Sequence, residues 1–380
     1  MKWEYKTLDQ LGTVSRGKSK HRPRNDPKLF GGKYPFIQTA DVKNADYYIT
    51  KYSDTYNESG LAQSKLWDKG TLCITIAANI ADTGVLAFPA CFPDSIMGFV
   101  PFEGVANTRF IKYCFDRLQR DCKQISQGTA QDNLSWEKLS TIKFCIPEYK
   151  EQCRIADILS AYDDLIENNQ KQIKLLEEAA QRLYKEWFVN LRFPGHENTK
   201  IVDGVPEGWI KEEIGKIIKK VHRTKQIVAS EYRDEGSIPI VDQSRAFVAG
   251  YTNDLEARVD FGIPIIVFGD HTRIVKLIQF PFAKGADGTQ LIISDCLEMP
   301  QRLLYCSIMN VDLSNYHYAR HFKYLKEEKI MIPTVKVANE FENNVTGIFS
   351  KIQNCRDEII RCQKTRNLLL PKLMSGEVEV

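Results

Sequence analysis

The second half of this 380-residue chain repeats the first, and that duplication limits its fold more tightly than any other property. Ile146-Pro147 and Ile332-Pro333 each end an apolar strand and open a heptad-patterned helix, 186 residues apart. At that offset Ile155, Leu159, Tyr162, Ile166, Asn169, Ile173, Leu176, Ala180, Leu183 and Trp187 fall on Phe341, Val345, Ile348, Ile352, Cys355, Ile359, Cys362, Arg366, Leu369 and Leu373. Spacings that alternate four and three describe the seam of a coiled coil. The first helix delivers the chain to the second half and the other brings it back, so an antiparallel pair is expected. Asn169 and Arg366 sit in the seam, where a polar group costs stability but fixes register.

The segments before the helices repeat more faintly. Trp3 to Gly12 matches Trp209 to Gly215, Tyr34 to Ile37 matches Ile238 to Val241, and Gly70 to Ile74 matches Gly262 to Ile266. Mixed α/β (α+β) heads are therefore expected at 1–146 and 191–332, with rods at 147–190 and 333–380. Residues 191–208, rich in Pro and Gly, read as the linker between copies.

Composition narrows the class. A 43% hydrophobic content supports folded cores, while 52 basic against 49 acidic residues leaves net charge silent about nucleic acid. The ten cysteines form no Cys-x-x-Cys pair and have no His partners at zinc spacing, so a reduced cytoplasmic chain without a metal is expected. Met1 to Lys6 has no apolar signal core, and no run approaches membrane-spanning length.

Each head carries a basic stretch near its start. In the first, Arg16, Lys18, Lys20, His21, Arg22, Arg24 and Lys28 crowd a segment with only Asp26 against them; in the second, Lys216, Lys219, Lys220, His222, Arg223 and Lys225 take the matching place. One such run is usually a solvated face, but its recurrence beside Ser, Gly and Asn suits a loop that follows a phosphate backbone. Gly12 to Ser19 also fits the letter of the phosphate-cradling G-x-x-x-x-G-K-[ST] pattern. The two prolines that follow, Pro23 and Pro27, oppose the helix this mechanism needs, and the second copy lacks the pattern. Pro93-Asp94 with Glu148-Tyr149-Lys150 imitates a nuclease metal-carboxylate pair, yet Glu148 follows Pro147 at a helix start, where an acidic residue serves as a cap. No catalytic machinery and no cofactor loop is read from the sequence.

The remaining polar groups suit base edges, since Gln or Asn clamps adenine and Arg clamps guanine. In the first head they are Gln38, Thr39, Thr129, Gln131 and Asn133, and in the second His271, Thr272, Arg273, Asp287, Tyr318, Arg320, His321 and Lys323. Local alternatives remain: Ser135 as a helix cap, Gly285 to Gly288 as a hairpin turn, and Asp270-His271 as a satisfied pair. Trp187, Phe188, Leu373 and Met374, at equivalent ends of the rods, are candidates to anchor a partner or to cap the coiled coil.

Arg16 to Arg24 with Tyr34 to Asp41, Thr129 to Ser135, Leu183 to Phe188 running into Phe193-Pro194-Gly195, Phe268 to Arg273, Gly285 to Thr289, Tyr318 to Lys323 and Leu370 to Glu377 follow one another in a telling order. Over essentially its whole length the chain resembles the specificity subunits of type I restriction-modification systems. The resemblance implies two target recognition domains, each reading half of a split asymmetric site in double-stranded DNA, with the helices as the spacer between them. Arg16, Lys18, Ser19, Lys20, Arg22, Arg24, Lys219, Lys220, His222, Arg223 and Lys225 then belong to the DNA-binding surface beside the base-reading groups. It further implies two DNA methyltransferase subunits docked on the helices, restriction and translocase subunits joining them, and no active site or cofactor in this chain. A self-contained restriction endonuclease, in which one head also cuts, is the alternative.

Overall fold

The computed structural model describes residues 3–76, 82–125, 136–221, 224–285, 287–316 and 320–380. It divides into two compact units, Met1–Asn168 with Glu358–Val380, and Asn169–Asp357.

In the first unit, strand Glu4–Lys6 pairs antiparallel with Phe144–Ile146, setting Glu4 opposite Ile146 directly before a long helix. One sheet has the order Gly12–Arg16, Ile96–Pro101, Leu72–Thr75, Thr83–Leu86, Tyr48–Ile49. Its central Leu72–Thr75 strand is buried at every position, as expected of a strand covered on both faces. The other sheet runs Asp54–Tyr56, Phe30–Phe36, Ala90–Cys91, Leu66–Trp67, with Phe36 and Cys91 side by side in parallel strands.

The second unit repeats this wiring. Strand Ile210–Glu213 pairs antiparallel with Lys329–Ile332, and Ile265–Gly269 lies between Val275–Ile278 and Thr289–Ile292. Strands Ile238–Val241 and Phe282–Gly285 run parallel, flanked by Gly250–Thr252, Arg258–Val259 and Gln226–Ile227. The alternative of a hairpin at Gly285 to Gly288 does not hold, because the strands on either side are not paired: Phe282–Gly285 lies in one sheet and Thr289–Ile292 pairs with Ile265–Gly269 in another.

The long helices are Tyr149–Tyr184 and Val335–Ser375. Within the first unit they pair antiparallel, Asp163 meeting Arg366 and Arg154 reaching the Val380 carbonyl. Within the second unit Gln172 meets Cys355 and Glu177 meets Arg356. No predicted seam position is exposed. Arg366 is not solvated: it ion-pairs with Asp163, which also accepts a 2.5 Å hydrogen bond from the Tyr113 hydroxyl.

Neither helix is only a rod, since each unit's largest core absorbs part of both. Ile155, Ala156, Leu159, Leu370, Leu373 and Met374 pack with Phe110, Tyr113 and Phe115 of helix Thr108–Ile125. Ala180, Tyr184, Phe341, Val345 and Phe349 pack with Leu303, Leu304 and Tyr305 of helix Gln301–Met309. The first long helix continues into a π-helical turn, Lys185–Val189, whose wider winding turns adjacent Trp187 and Phe188 both inward. Trp187, Phe188, Leu373 and Met374 are 7%, 4%, 1% and 3% exposed. Enclosed in this way they pack into the cores of their own units, as the capping alternative expects. Among the described residues, no helix is long and apolar enough to cross a membrane.

Candidate nucleic-acid interface

In the second unit the parallel strands Ile238–Val241 and Phe282–Gly285 end together, with Val241 opposite Lys284. Carboxyl ends of parallel strands gather loops into one place. Here they deliver Asp242-Gln243 and the turn carrying Asp287, while strand Ile265–Gly269 delivers His271, Thr272 and Arg273. Gln243 joins these loops. Its Nε2 donates to the Asp287 carbonyl (2.7 Å), its Oε1 accepts the His271 N–H (3.1 Å), and its own carbonyl accepts from the Thr272 hydroxyl (2.7 Å). Gly288, at φ +82°, leaves room for this bridge, because a Cβ there would stand 2.8 Å from both Gln243 Nε2 and the His271 ring.

Asp270 fixes the third element. Its carboxylate accepts the Phe322 N–H (2.8 Å) and its carbonyl accepts the His321 N–H (2.9 Å), holding the start of helix His321–Glu327 against the loop. Asp270 is therefore committed to this helix rather than to His271. His321 is 5% exposed, with Nδ1 against the Asp270 carbonyl and Nε2 against the Tyr316 carbonyl, so neither ring nitrogen is left for a base edge. Arg273, at φ +60°, donates to the Leu313 carbonyl (3.1 Å). The His271 ring and Arg320 are exposed and make no hydrogen bond or ion pair among the described residues, and the carboxylate of exposed Asp287 receives a 3.3 Å contact from Gln226. These three, with Lys323 on the same helix, are free to face a ligand.

The basic stretch of this unit splits by partner. Lys225 is held by Asp254 (2.7 Å) and Glu256 (2.9 Å), which raise its pKa, and Lys219 lies 3.6 Å from Asp295. Lys220 has no ion pair among the described residues; with Lys219, Lys284 and Lys326 it lines a cleft of about 820 Å³. Burial lowers the Lys284 pKa, with Asp287 opposing that shift.

The first unit places an analogous group at the ends of Phe30–Phe36 and Ala90–Cys91, but fills it differently. Gln38 precedes helix Thr39–Lys43, its N–H bonded to Asp41 (2.8 Å) and its Nε2 donating to Asp54 (2.6 Å). The basic loop crosses the end of Ala90–Cys91 so tightly that a Cβ on Gly17 would stand 2.2 Å from the Phe92 carbonyl oxygen. Arg24 grips Asp94 through both carboxylate oxygens (2.6 and 2.7 Å), and Arg22 donates to the Ser19 and His21 carbonyls. Asp94, the nuclease-like carboxylate, is thus the strut of this loop. Gly12–Arg16, the start of the nucleotide-loop look-alike, is a strand. With Arg22 and Arg24 tied down, exposed Arg16, Lys18 and Lys20 make no ion pair among the described residues, and Ser19 is buried with an unpartnered hydroxyl.

Thr129, Gln131, Asn133, Ser135, His222, Arg223 and Tyr318 lie outside the described residues. Gln243, Lys284 and Lys326 are absent from the sequence-derived candidates. The repeat contained the signal for Gln243, because the match of Ile238–Val241 to Tyr34–Ile37 lays Asp242-Gln243 over Gln38-Thr39.

Residues 1–178 match the Type I restriction modification DNA specificity domain family. The chain is 28% identical over 412 residues to the type I restriction enzyme MjaIX specificity subunit of Methanocaldococcus jannaschii, covering 100% of this chain and 94% of that protein. It is 31% identical to the EcoR124I/EcoR124II specificity subunit of Escherichia coli over 25% of this chain and 24% of that one. The crystal structure of a type I restriction-modification S subunit from M. genitalium shares the fold, with a TM-score of 0.55 and 17% identity over 98% of this chain and 96% of its own. Two units of matched wiring, each with a polar patch where its parallel strands end, accord with these likenesses, and the chain is similar over its whole length to specificity subunits of type I restriction-modification systems.

Proposed function

We propose that this chain is the specificity subunit of a type I restriction-modification system and reads a split, asymmetric site in double-stranded DNA, one half through residues 1–146 and the other through 191–332. The observation that carries the reading is the pair of equivalent patches on similar wiring with different side chains: exposed Arg16, Lys18 and Lys20 on the loop that crosses the end of Ala90–Cys91 and Gln38 and Thr39 at the end of Phe30–Phe36 in one, His271, Asp287, Arg320 and Lys323 around Gln243 in the other. Free cations take phosphates and fix position, and free imidazole and guanidinium groups take base edges. The helices at 147–190 and 333–380 act as the spacer and as the seat for methyltransferase subunits, two by the duplication, which restriction subunits join in the cytoplasm. The chain itself contributes recognition and no chemistry.

The test is a genome-wide map of methylated adenines in a host carrying this chain with its methyltransferase. One split motif is expected, and His271→Ala should relax a single half of it. Methylation without a split motif, or relaxation of both halves together, refutes the reading.

A further inference from the structure

Gln243 stands at the centre of the second patch, yet its own loop, Asp242 to Phe247, is exposed or half-buried over most of its length. Two cations that contribute nothing to the patch surface hold that loop. The first is Lys276, 5% exposed in strand Val275–Ile278. Its ammonium donates to the carbonyls of Asp242 (2.8 Å) and Ala246 (2.5 Å) and lies 3.9 Å from the Asp242 carboxylate. That carboxylate accepts from the Ser244 N–H (2.9 Å), the Ser244 hydroxyl (2.6 Å) and the Tyr232 hydroxyl (3.3 Å). A buried ammonium is costly unless its donors are met, and here they are met by the two ends of one loop. Burial pushes its pKa down to about 8.

The second cation is Arg356 of the Val335–Ser375 helix. Its guanidinium lies over the Phe247 ring, 3.6 Å from the centroid, while pairing with Glu177 at 2.9 Å. Lys276 thus grips the loop from the sheet and Arg356 from the helix pair. The first unit has a different arrangement at the equivalent point: matching the turn closed by Thr75 and Asp82 to that closed by Gly269 and Ile274 lays Gly84 over Lys276, and Gly84 packs against Ile49.

We propose that Lys276 and Arg356 are positioning residues that hold Gln243, and through it His271 and Asp287, in the arrangement that reads the second half-site. The proposal rests on the DNA-recognition reading of that patch. Neither residue touches DNA; both act through the loop.

The test measures selectivity of the chain copurified with its methyltransferase subunits, as the ratio of methylation rates on the native site and on sites altered by one base pair in either half. Gln243→Ala, Lys276→Met, Arg356→Gln and Phe247→Ala are compared, each with a melting curve; Phe247→Ala leaves both buried pairs in place, so folding is retained if Lys276→Met is too disruptive. We expect at least a tenfold loss of selectivity in the second half for every variant, the first half unchanged, and Lys276→Met with Gln243→Ala together no worse than Gln243→Ala alone, because both act through one residue. If Gln243→Ala lowers selectivity while Lys276→Met and Phe247→Ala do not, or if the effects multiply, the positioning roles are overturned and the recognition reading stands. If Gln243→Ala itself changes nothing, the recognition reading of this patch falls and the proposal falls with it.

Discussion

Arg366→Met is expected to destabilise the first unit far more than an ordinary surface substitution. Asp163 is 2% exposed and is held by Arg366 and by the Tyr113 hydroxyl, which comes from helix Thr108–Ile125. Removing one member of a buried ion pair strands the other, at a cost of about 3–5 kcal/mol, against about 0–1 kcal/mol for an exposed pair. Burial already lifts the Asp163 carboxyl above its usual range, with Arg366 pulling it down, so the variant lifts it further. A carboxyl whose folded pKa exceeds its unfolded value binds more protons when folded. The stability this gives is complete below the unfolded pKa and is lost as pH rises through the folded one. The deficit of Arg366→Met should therefore be largest near neutral pH and shrink on acidification. Adding Asp163→Asn should restore most of the loss, since the amide oxygen still accepts from Tyr113 without a charge. Urea unfolding at several pH values measures all three. A cost below about 1 kcal/mol, or a deficit that ignores pH, would show the pair to be solvated.

Three further outcomes are expected. Lys18→Ala should weaken binding to all DNA sequences alike and reduce the slope of log affinity against log salt by about 0.9, measured by fluorescence anisotropy; a sequence-dependent loss would assign Lys18 to base reading instead. His271→Ala should cost about 1–3 kcal/mol of discrimination at one base pair of the second half-site, scored in competition binding, and nothing in the first. Lys276 has a folded pKa of about 8 against an ordinary 10.5, so the folded state sheds its proton first and stability should rise with pH between these values. Lys276→Met should flatten that part of the urea-midpoint profile, and a profile identical to the parent's would contradict the burial argument.

The seam was legible because heptad spacing is a property of one segment and needs no knowledge of its neighbours. The second buried face of the first long helix was not: Gln152, Ser160 and Asp163 are each 1–2% exposed, but polar residues read as solvated until helix Thr108–Ile125 is placed beside them. Asp94 resembled a metal carboxylate because its true partner, Arg24, lies 70 residues away, a separation no local pattern reports. Lys276 interrupts an apolar strand and suggests a solvent face, whereas the carbonyls that accept from it belong to a loop about 30 residues earlier. Gln243 is less legible for another reason: the likeness between the halves is carried by the apolar strands and fades in the loop they deliver. His321 had the right chemistry in the right neighbourhood, and only its two carbonyl contacts show that the ring braces the patch from within.

The two units differ in how the chain supplies them. The second is one uninterrupted stretch, Asn169–Asp357, while the first is assembled from Met1–Asn168 and Glu358–Val380. Leu370, Leu373 and Met374 complete the core around Phe110 and Phe115, so a growing polypeptide closes its first core only after those residues leave the ribosome. The second unit needs no such wait. In hereditary terms this is an insertion: a single exchange of the stretch between Asn169 and Asp357 for that of a relative replaces one polar patch together with its entire hydrophobic interior. The other patch keeps every residue it was built from, so new pairings of patches can arise by recombination at two points rather than by gradual mutation.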